Sequence, residues 1–394
     1  MSLIRSEKKS RFPESMKFFN RFRRSTEANF SPGNTLVLLK EGEDFFNELY
    51  AAIELAEQSV YLEFYIVRAD VTGKRLAELL KDAVARGVEV CLLYDYIGCF
   101  DTPASFFRSM ESKGVNCVPF NPPPFRNGLS WFDKRDHRKI AIIDSRVGFT
   151  GGMNIGDEYS GVSTSLNWRD VGVRLEGTAV NELSRLFCES WQSEASSLPL
   201  SSYDIGLTAE SGIDEVAIVS GGPHHNRSRI RAAFRMAIAG ATESVKIQTP
   251  YFVPGPRFIR ALLRSVKRGA RVQLILPAKI DVKLVGLLNR SSYATLIKGG
   301  IEVFERGGTM LHGKVMLIDG RWSVIGSANL DQRSFHRNYE VNVLVSSPAF
   351  GEQVDEMFED DLALSRRISL EEHERRGFAI RLLERLVAPI SWFL

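Results

Sequence analysis

Two histidines in this 394-residue chain stand in the same short pattern, His137-Arg-Lys139-Ile-Ala-Ile-Ile-Asp144 and His312-Gly-Lys314-Val-Met-Leu-Ile-Asp319. In both, one residue separates His from Lys and an apolar run follows, as in a strand whose alternate side chains share a face. His and Lys therefore point the same way. Near neutral pH an imidazole can attack phosphorus or deliver a proton, and a lysine beside it can hold a non-bridging phosphate oxygen. The pair is suited to making or breaking phosphodiester bonds. A single match is expected by chance in roughly one or two of a hundred chains of this length, and two in about one of ten thousand. The duplication carries the reading.

Each motif leads to a small-residue turn bearing an asparagine, Gly151-Gly152-Met153-Asn154 and Gly326-Ser327-Ala328-Asn329. Glycine lets the backbone approach a ligand, and a carboxamide adds a donor for an oxyanion. Asn154, Asn329 and Ser327 are therefore candidate substrate-binding residues. Further on, Trp168-Arg169-Asp170 and Asn338-Tyr339-Glu340 place a carboxylate before an alternating apolar strand, 33 and 28 residues after the preceding histidines. A carboxylate bonded to one ring nitrogen fixes the tautomer and orientation of a catalytic histidine. That is the role expected of Asp170 and Glu340, each toward the histidine it follows. The candidate catalytic set is His137, Lys139, Asp144, His312, Lys314 and Asp319. The two aspartates end their strands and read as structural rather than as metal ligands.

The elements that must position these residues also occur twice. Ser59-Val-Tyr-Leu-Glu-Phe-Tyr-Ile-Val67 and Ser244-Val-Lys-Ile-Gln-Thr-Pro-Tyr-Phe-Val253 are two versions of one β-rich segment. Amphipathic helices follow, around 74–86 and 256–268, ending at Gly87 and Gly269, and then strands at 88–94 and 270–276. A period of about 180 residues is far longer than the roughly 20 to 50 of a solenoid, so it implies a duplicated domain. Alternating strands and helices make each half an α/β sandwich. The expected organisation is an arm over 1–34, a first half over 35–193, a linker over 194–213, a second half over 214–364 and a tail over 365–394.

The bulk properties suit a folded body: 44% apolar, 10% aromatic and 25% charged residues. A net charge of +3 from 51 basic and 48 acidic residues is not the global excess of a nucleic-acid coat. Local patches matter more. The arm is basic and carries Met16, Phe18, Phe19 and Phe22. Cys91, Cys99, Cys117 and Cys188 show no metal-ligand spacing and read as reduced core residues. No apolar run is long enough to span a bilayer or direct secretion.

On these motifs the chain resembles the phospholipase D superfamily from about residue 35 to 365. Thr150-Gly-Gly-Met-Asn-Ile-Gly-Asp157, Asn167-Trp-Arg-Asp170 and Gly326-Ser-Ala-Asn-Leu-Asp-Gln-Arg-Ser-Phe335 are similar to bacterial cardiolipin synthases, which transfer a phosphatidyl group between phosphatidylglycerol molecules. The resemblance implies two phospholipase D-like α/β/α sandwich halves related by a pseudo-twofold axis. It also implies one shared site built from His137, Lys139, Asn154, His312, Lys314 and Asn329. It implies a phosphohistidine intermediate, with His137 taken as nucleophile and His312 as acid; the reverse assignment uses the same residues. No metal or other cofactor is required in that scheme. The implied partners are anionic phospholipids, phosphatidylglycerol among them, and a membrane surface; no nucleic acid is expected.

The chain departs from the commonest cardiolipin synthase pattern in lacking N-terminal hydrophobic spans, so a peripheral place on the cytoplasmic face of the bacterial inner membrane is expected. The tail offers contact: Phe378, Leu382, Leu383, Leu386 and Val387 lie at near-helical spacing among Arg375, Arg376, Arg381 and Arg385, before Pro389-Ile-Ser-Trp-Phe-Leu394. Packing on the protein's own core is the alternative for both termini. The aromatic segments 119–125 and 129–132 read as loops that border an acyl-chain entrance or simply pack. The rival functions are a hydrolytic phospholipase D, a nuclease of the same mechanism, and a non-catalytic lipid-binding protein.

Overall fold

Ser59–Phe64 is buried at every position, its polar residues Ser59 and Glu63 included, because both faces of the strand are covered. The same holds for Lys139–Ile143 and Trp322–Gly326. These strands lie inside a single large sheet seen in a computed structural model that describes residues 16–123, 133–162, 167–195, 212–223, 228–377 and 383–384.

The chain begins with α1 (Met16–Thr26), β1 (Ser31–Leu39), α2 (Gly42–Glu54), β2 (Ser59–Phe64), α3 (Val71–Ala85) and β3 (Glu89–Asp95). The first half continues with α4 (Ala104–Glu111), β4 (Asn116–Phe120), β5 (Lys139–Ile143), β6 (Val147–Gly151), α5 (Asp157–Ser160), β7 (Gly172–Gly177) and α6 (Ala179–Glu194). The second half opens with β8 (Asp214–Gly221), α7 (Arg229–Gly240), β9 (Ser244–Gln248), β10 (Phe252–Val253), α8 (Pro256–Lys267) and β11 (Arg271–Pro277). There follow α9 (Lys283–Ser291), α10 (Tyr293–Lys298), β12 (Glu302–Arg306), β13 (Val315–Ile318), β14 (Trp322–Gly326) and β15 (Leu330–Asp331). Last come α11 (Gln332–His336), β16 (Glu340–Ser346), α12 (Pro348–Ala363), β17 (Ser365–Arg367) and α13 (Leu370–Glu374).

Fifteen strands form one sheet in the order β17-β12-β11-β9-β13-β14-β16-β8-β1-β7-β6-β5-β2-β3-β4. Read outward from the antiparallel β1–β8 seam, the two halves have equivalent orders. The outer pairs β2–β3, β3–β4, β9–β11 and β11–β12 are parallel, and the motif strands β5 and β13 run antiparallel to β2 and β9. This is the mixed α/β, pseudo-twofold arrangement the repeat implies. One apolar core joins residues of both halves, Ile142, Leu175 and Phe187 with Val343, Val354 and Phe358. Two further cores fill the outer faces.

The duplication extends to capping. Gly87 and Gly269 take φ of 90° and 101° after α3 and α8, a conformation that costs a side-chain-bearing residue roughly 1–2 kcal/mol. The arginines before them, Arg86 and Arg268, donate to the last carbonyls of the preceding helices, to Ile53 and Ile238 at 2.9 and 3.0 Å.

Two boundaries shift. The first half begins at Ser31, because Ser31–Leu39 is a central strand paired on both sides and does not belong to a terminal arm. The helix before it packs on the second half: Phe22 is buried and lies 5.1 Å from the ring of Phe30, which meets Trp322 at 5.3 Å. At the other end, β17 adds an edge strand to β12, and His373 packs on Tyr293, so this stretch continues the second half instead of forming a tail. The aromatic segment 124–132, most of the linker (196–211) and most of the amphipathic tail, including Phe378, Arg381, Leu382, Arg385, Leu386, Val387 and 389–394, lie outside the described residues. The four cysteines are free thiols.

Candidate active site

Lys139 opens β5 and Lys314 immediately precedes β13, so each histidine sits just outside its strand. Both lysines are buried beneath their histidines. Lys139 Nζ donates to the His137 carbonyl at 2.8 Å. Lys314 Nζ reaches the His312 carbonyl at 2.5 Å and lies 2.8 Å from Nδ1 of the same ring.

The aspartates that end the motifs have another task. Asp144 and Asp319 adopt φ of 52° and 50°. Asp144 accepts from the backbone N–H groups of Glu57, Gln58 and Ser59 at 3.0, 2.7 and 2.8 Å. Asp319 accepts from Thr242, Glu243 and Ser244 at 2.9, 2.8 and 2.9 Å. Each ties a motif strand to the chain turning into β2 or β9. Among the candidate catalytic residues, Asp144 and Asp319 are therefore structural anchors.

The carboxylates are the larger correction. Each bonds the histidine of the opposite half, not the one it follows in sequence. His137 Nδ1 lies 3.0 Å from both oxygens of Glu340, and His312 Nδ1 lies 2.5 Å from Asp170 Oδ2. Backbone bridges impose the crossing. His137 N–H donates to the Tyr339 carbonyl at 2.9 Å while Tyr339 N–H donates to Arg135 at 2.9 Å; His312 N–H donates to Arg169 at 2.7 Å while Arg169 N–H donates to Met310 at 2.7 Å. Each motif is stitched to the far half just before its histidine.

The glycines of the trailing turns make room for protein atoms, Gly152 for the Asp170 carboxylate and Gly326 for Asn342 on the neighbouring strand. A Cβ on Gly152 would stand 2.1 Å from Asp170 Oδ1, and one on Gly326 2.1 Å from Asn342 Oδ1. Ser327 is fully buried and donates its hydroxyl to Glu340, so it positions that carboxylate and does not face substrate. Asn154 lines the cleft with its amide engaged, donating to Tyr159 Oη at 2.9 Å and accepting from Ile66 N–H at 3.1 Å. The Asn329 carboxamide oxygen is buried without a hydrogen-bond partner, and this side chain also faces the cleft.

The cleft, about 330 Å³, lies between the halves and is lined by both histidines and both asparagines. Around them stand Tyr65, Arg135, Tyr159, Trp168, Tyr251, Asp331, Arg333 and Asn338, whose part in the site the sequence reading missed. Several belong to quoted segments, Trp168 and Asn338 to the carboxylate triplets and Asp331 and Arg333 to the second glycine turn, so adjacency was the available signal. Tyr65 lies 5.1 Å from the His137 ring, while Tyr159 and Trp168 lie 5.6 and 5.0 Å from that of His312. Among the described residues no His, Cys, Asp and Glu side chains gather as a metal-ligand set.

Burial dominates the electrostatics. It lowers His137 to about 4, against the opposing pull of Glu340, and lowers His312 with Lys314 adding to the effect. It brings Lys139 down to about 7 and Lys314 to about 8, despite the favourable carboxylates Glu340 and Asp170 respectively. Burial raises Asp170 and Glu340, yet the cationic lysines and the histidines outweigh it and hold both carboxyls below their usual range. Asp331 is pushed up to about 7 by burial, against the N–H it accepts from Ser334. The site thus holds neutral imidazoles over ionised carboxylates, beside lysine amino groups that gain or lose a proton near neutral pH.

The profile of a family described as "Cardiolipin synthase, PLD-like domain" matches residues 49–191 and 234–362. The chain belongs to this family. It is 34% identical over 362 residues to the cardiolipin synthase of Geobacillus kaustophilus (strain HTA426), covering 90% of this chain and 72% of that protein. It is 35% identical over 368 residues to cardiolipin synthase A of Pseudomonas entomophila (strain L48), covering 91% and 75%. In fold it is similar to the phosphatidylserine synthase of Haemophilus influenzae Rd KW20, with a TM-score of 0.73 at 15% identity over 95% of this chain and 97% of that one. The family is phospholipid-synthesising, and no helix among the described residues of this chain is long and apolar enough to cross a membrane.

Proposed function

We propose that this member of the cardiolipin synthase family transfers a phosphatidyl group between phosphatidylglycerol and a second glycerophospholipid through a phosphohistidine, releasing a small alcohol. The observation that carries the reading is the pair of imidazoles in one cleft, each held at Nδ1 by a carboxylate of the opposite half. Holding Nδ1 leaves Nε2 of each ring for chemistry, that of His312 lying 3.1 Å from Lys314 Nζ.

His137 is the nucleophile, a role supported by its greater side-chain exposure, 13% against 7% for His312. Its Nε2 attacks phosphorus, the phosphorus–oxygen bond to the headgroup glycerol breaks, and His312 gives that oxygen a proton. The arriving phosphate anion offsets Lys314, which favours the protonated His312 that this step needs. In the second half-reaction His312 takes the proton from a hydroxyl of the acceptor lipid, whose oxygen attacks phosphorus and breaks the phosphorus–nitrogen bond. With phosphatidylglycerol as both donor and acceptor, the products are cardiolipin and free glycerol. Lys139, Lys314 and the Asn329 carboxamide supply the positive field for the phosphoryl oxygens. The protein works peripherally at the cytoplasmic face of a bacterial inner membrane.

The test is incubation of the pure protein with phosphatidylglycerol, with and without phosphatidylethanolamine, followed by lipid mass spectrometry. Cardiolipin with released glycerol is expected. Phosphatidic acid as sole product would overturn transfer in favour of hydrolysis.

A further inference from the structure

The pseudo-twofold axis supplies an internal comparison. By position in the sheet order, α7 and α8 of the second half correspond to α2 and α3 of the first. The helix α2 carries Glu43, Asp44, Glu48 and Glu54 and no basic residue, and α3 mixes both signs, with Lys81 paired to Glu78. In contrast, neither α7 nor α8 has an acidic residue. The fold tolerates either charge at these places, so the one-signed surface of the second half calls for a separate reason.

That surface is broad. The helices α1, α7 and α8 pack side by side, and Arg21, Arg24, Arg235, Arg257, Arg264 and Lys267 are exposed on them. Among the described residues Arg229 pairs with Glu27, whereas Arg231, Arg235, Arg257 and Arg264 have no carboxylate partner. Burial and the nearby Arg235 and Arg257 hold Arg231 below its usual pKa, the mark of cations crowded without counter-charge. The basic surface runs on to the cleft: burial lowers His336 at the end of α11 and the nearby Arg231 adds to the effect, and Arg333, on the same short helix, lines the cleft.

An apolar pocket of about 370 Å³ opens beside α8, with Ile259, Leu263 and Leu288 in its wall. Val253 lines both this pocket and the catalytic cleft. A free polyphosphate has no apolar group to place there, and a nucleic acid would find no exposed aromatic ring for its bases in this wall, whereas a phospholipid joins an anion to long apolar chains. We propose that the α1–α7–α8 face docks on an anionic phospholipid bilayer, and that the pocket beside α8 receives an acyl chain of the lipid whose phosphate reaches the histidines. This rests on the lipid-transfer reading above and names the surface through which it operates.

Vesicle flotation of the full chain tests the docking face, using phosphatidylcholine alone or mixed with phosphatidylglycerol. The variant Arg235→Glu/Arg257→Glu/Arg264→Glu is compared with Lys74→Glu/Lys113→Glu/Arg146→Glu, which makes the same charge change on exposed sites of the first half. Wild type and the first-half variant are expected to bind the anionic vesicles, and the face variant to bind about a hundredfold more weakly, with a flatter salt dependence. Melting followed by circular dichroism checks the fold; should the triple variant melt early, Arg264→Glu alone is expected to weaken binding about fivefold. Equal binding by the face variant, or equal loss by both triple variants, overturns the docking face. So does an oligonucleotide that binds this face and is not displaced by anionic vesicles. Filling the pocket with Ile259→Trp is expected to raise KM for long-chain over short-chain phosphatidylglycerol, and an unchanged ratio overturns the acyl site. Turnover on detergent-dispersed lipid without vesicle binding would sink the docking face alone; vesicle binding without turnover would sink the transfer reading alone.

Discussion

Each imidazole at the centre of the cleft has a different set of neighbours, and the two rings are therefore separable by mutation. Glu340, Ser327 and Asn338 surround the Nδ1 side of His137, while Asp170 and Lys314 do so for His312. Replacing a buried orienting carboxylate by its amide leaves the shape and loses the tautomer, a loss of about 10⁴ in kcat in the best-known triad. Glu340→Gln is expected to slow formation of the phosphohistidine by about 10²–10⁴, and nitrogen NMR should show the His137 tautomer disturbed with His312 unchanged. Asp170→Asn should do the reverse. Finding His312 disturbed in Glu340→Gln would contradict the crossed pairing. The lysines give a second test. With Lys139 near 7 and Lys314 near 8 in the free protein, an oxyanion such as tungstate must bind with proton uptake. Its affinity is therefore expected to fall as pH rises through 7 to 9, by roughly tenfold per unit for each lysine that has lost its proton. Calorimetry in buffers of different ionisation enthalpy reads the uptake directly. For stability the His137 sign is fixed by its depressed pKa. Between about 6.5 and 4 the unfolded chain holds a proton that the folded one does not, so the melting temperature should drop as pH falls through that window.

The strands owe their alignment to groups that the motif reading had placed in the chemistry. Asp144 and Asp319 each gather three backbone donors, and deleting such an acceptor leaves those donors wanting. Asp319→Ala is expected to cost about 2–4 kcal/mol of stability, with kcat little changed at temperatures where the variant remains folded. A collapse of kcat in a fully folded Asp319→Ala would return this residue to the catalytic set. Gly152→Ala is expected to do the opposite, impairing turnover more than folding, because the added methyl displaces the Asp170 carboxylate on which His312 depends. At this scale most elements were legible in the sequence. The paired segments at Ser59 and Ser244, the glycine-terminated helices and the motif strands have periodicity and caps of their own. The strand Ser31–Leu39 was not, since Ser31-Pro32-Gly33-Asn34 reads locally as a turn, with Gly33 at φ 80°. Asn34–Leu39 pair with β7 of the same half, and it is pairing with Val216 and Asp214 of the other half that carries the strand back to Ser31. The same limit hid the carboxylate crossing, because along the chain each carboxylate follows a histidine at a similar spacing, and the backbone bridges that decide the matter join residues about 140 to 200 positions apart.

For the whole molecule, the β1–β8 seam and the core that spans both halves make the duplicated units parts of one folding unit. Unfolding by denaturant is expected to be a single transition, with circular dichroism and tryptophan fluorescence coincident; two resolved transitions would show halves that fold independently. The sequence revealed that there are two halves and one shared site, and left the termini between membrane contact and packing on the core. The described part of the first terminus packs through Phe22 into the second half with Arg21 and Arg24 exposed, and the arginines of α7 and α8 lie on helices whose charge stands out only beside their acidic counterparts. The crossed carboxylates also bear on how the protein is made. While the ribosome is still translating the second half, His137 has no partner to fix its ring, because Glu340 does not yet exist. On the proposed assignment of His137 as nucleophile, a nascent chain therefore carries no competent one, and its reactivity is expected to switch on only when β16 closes against β8.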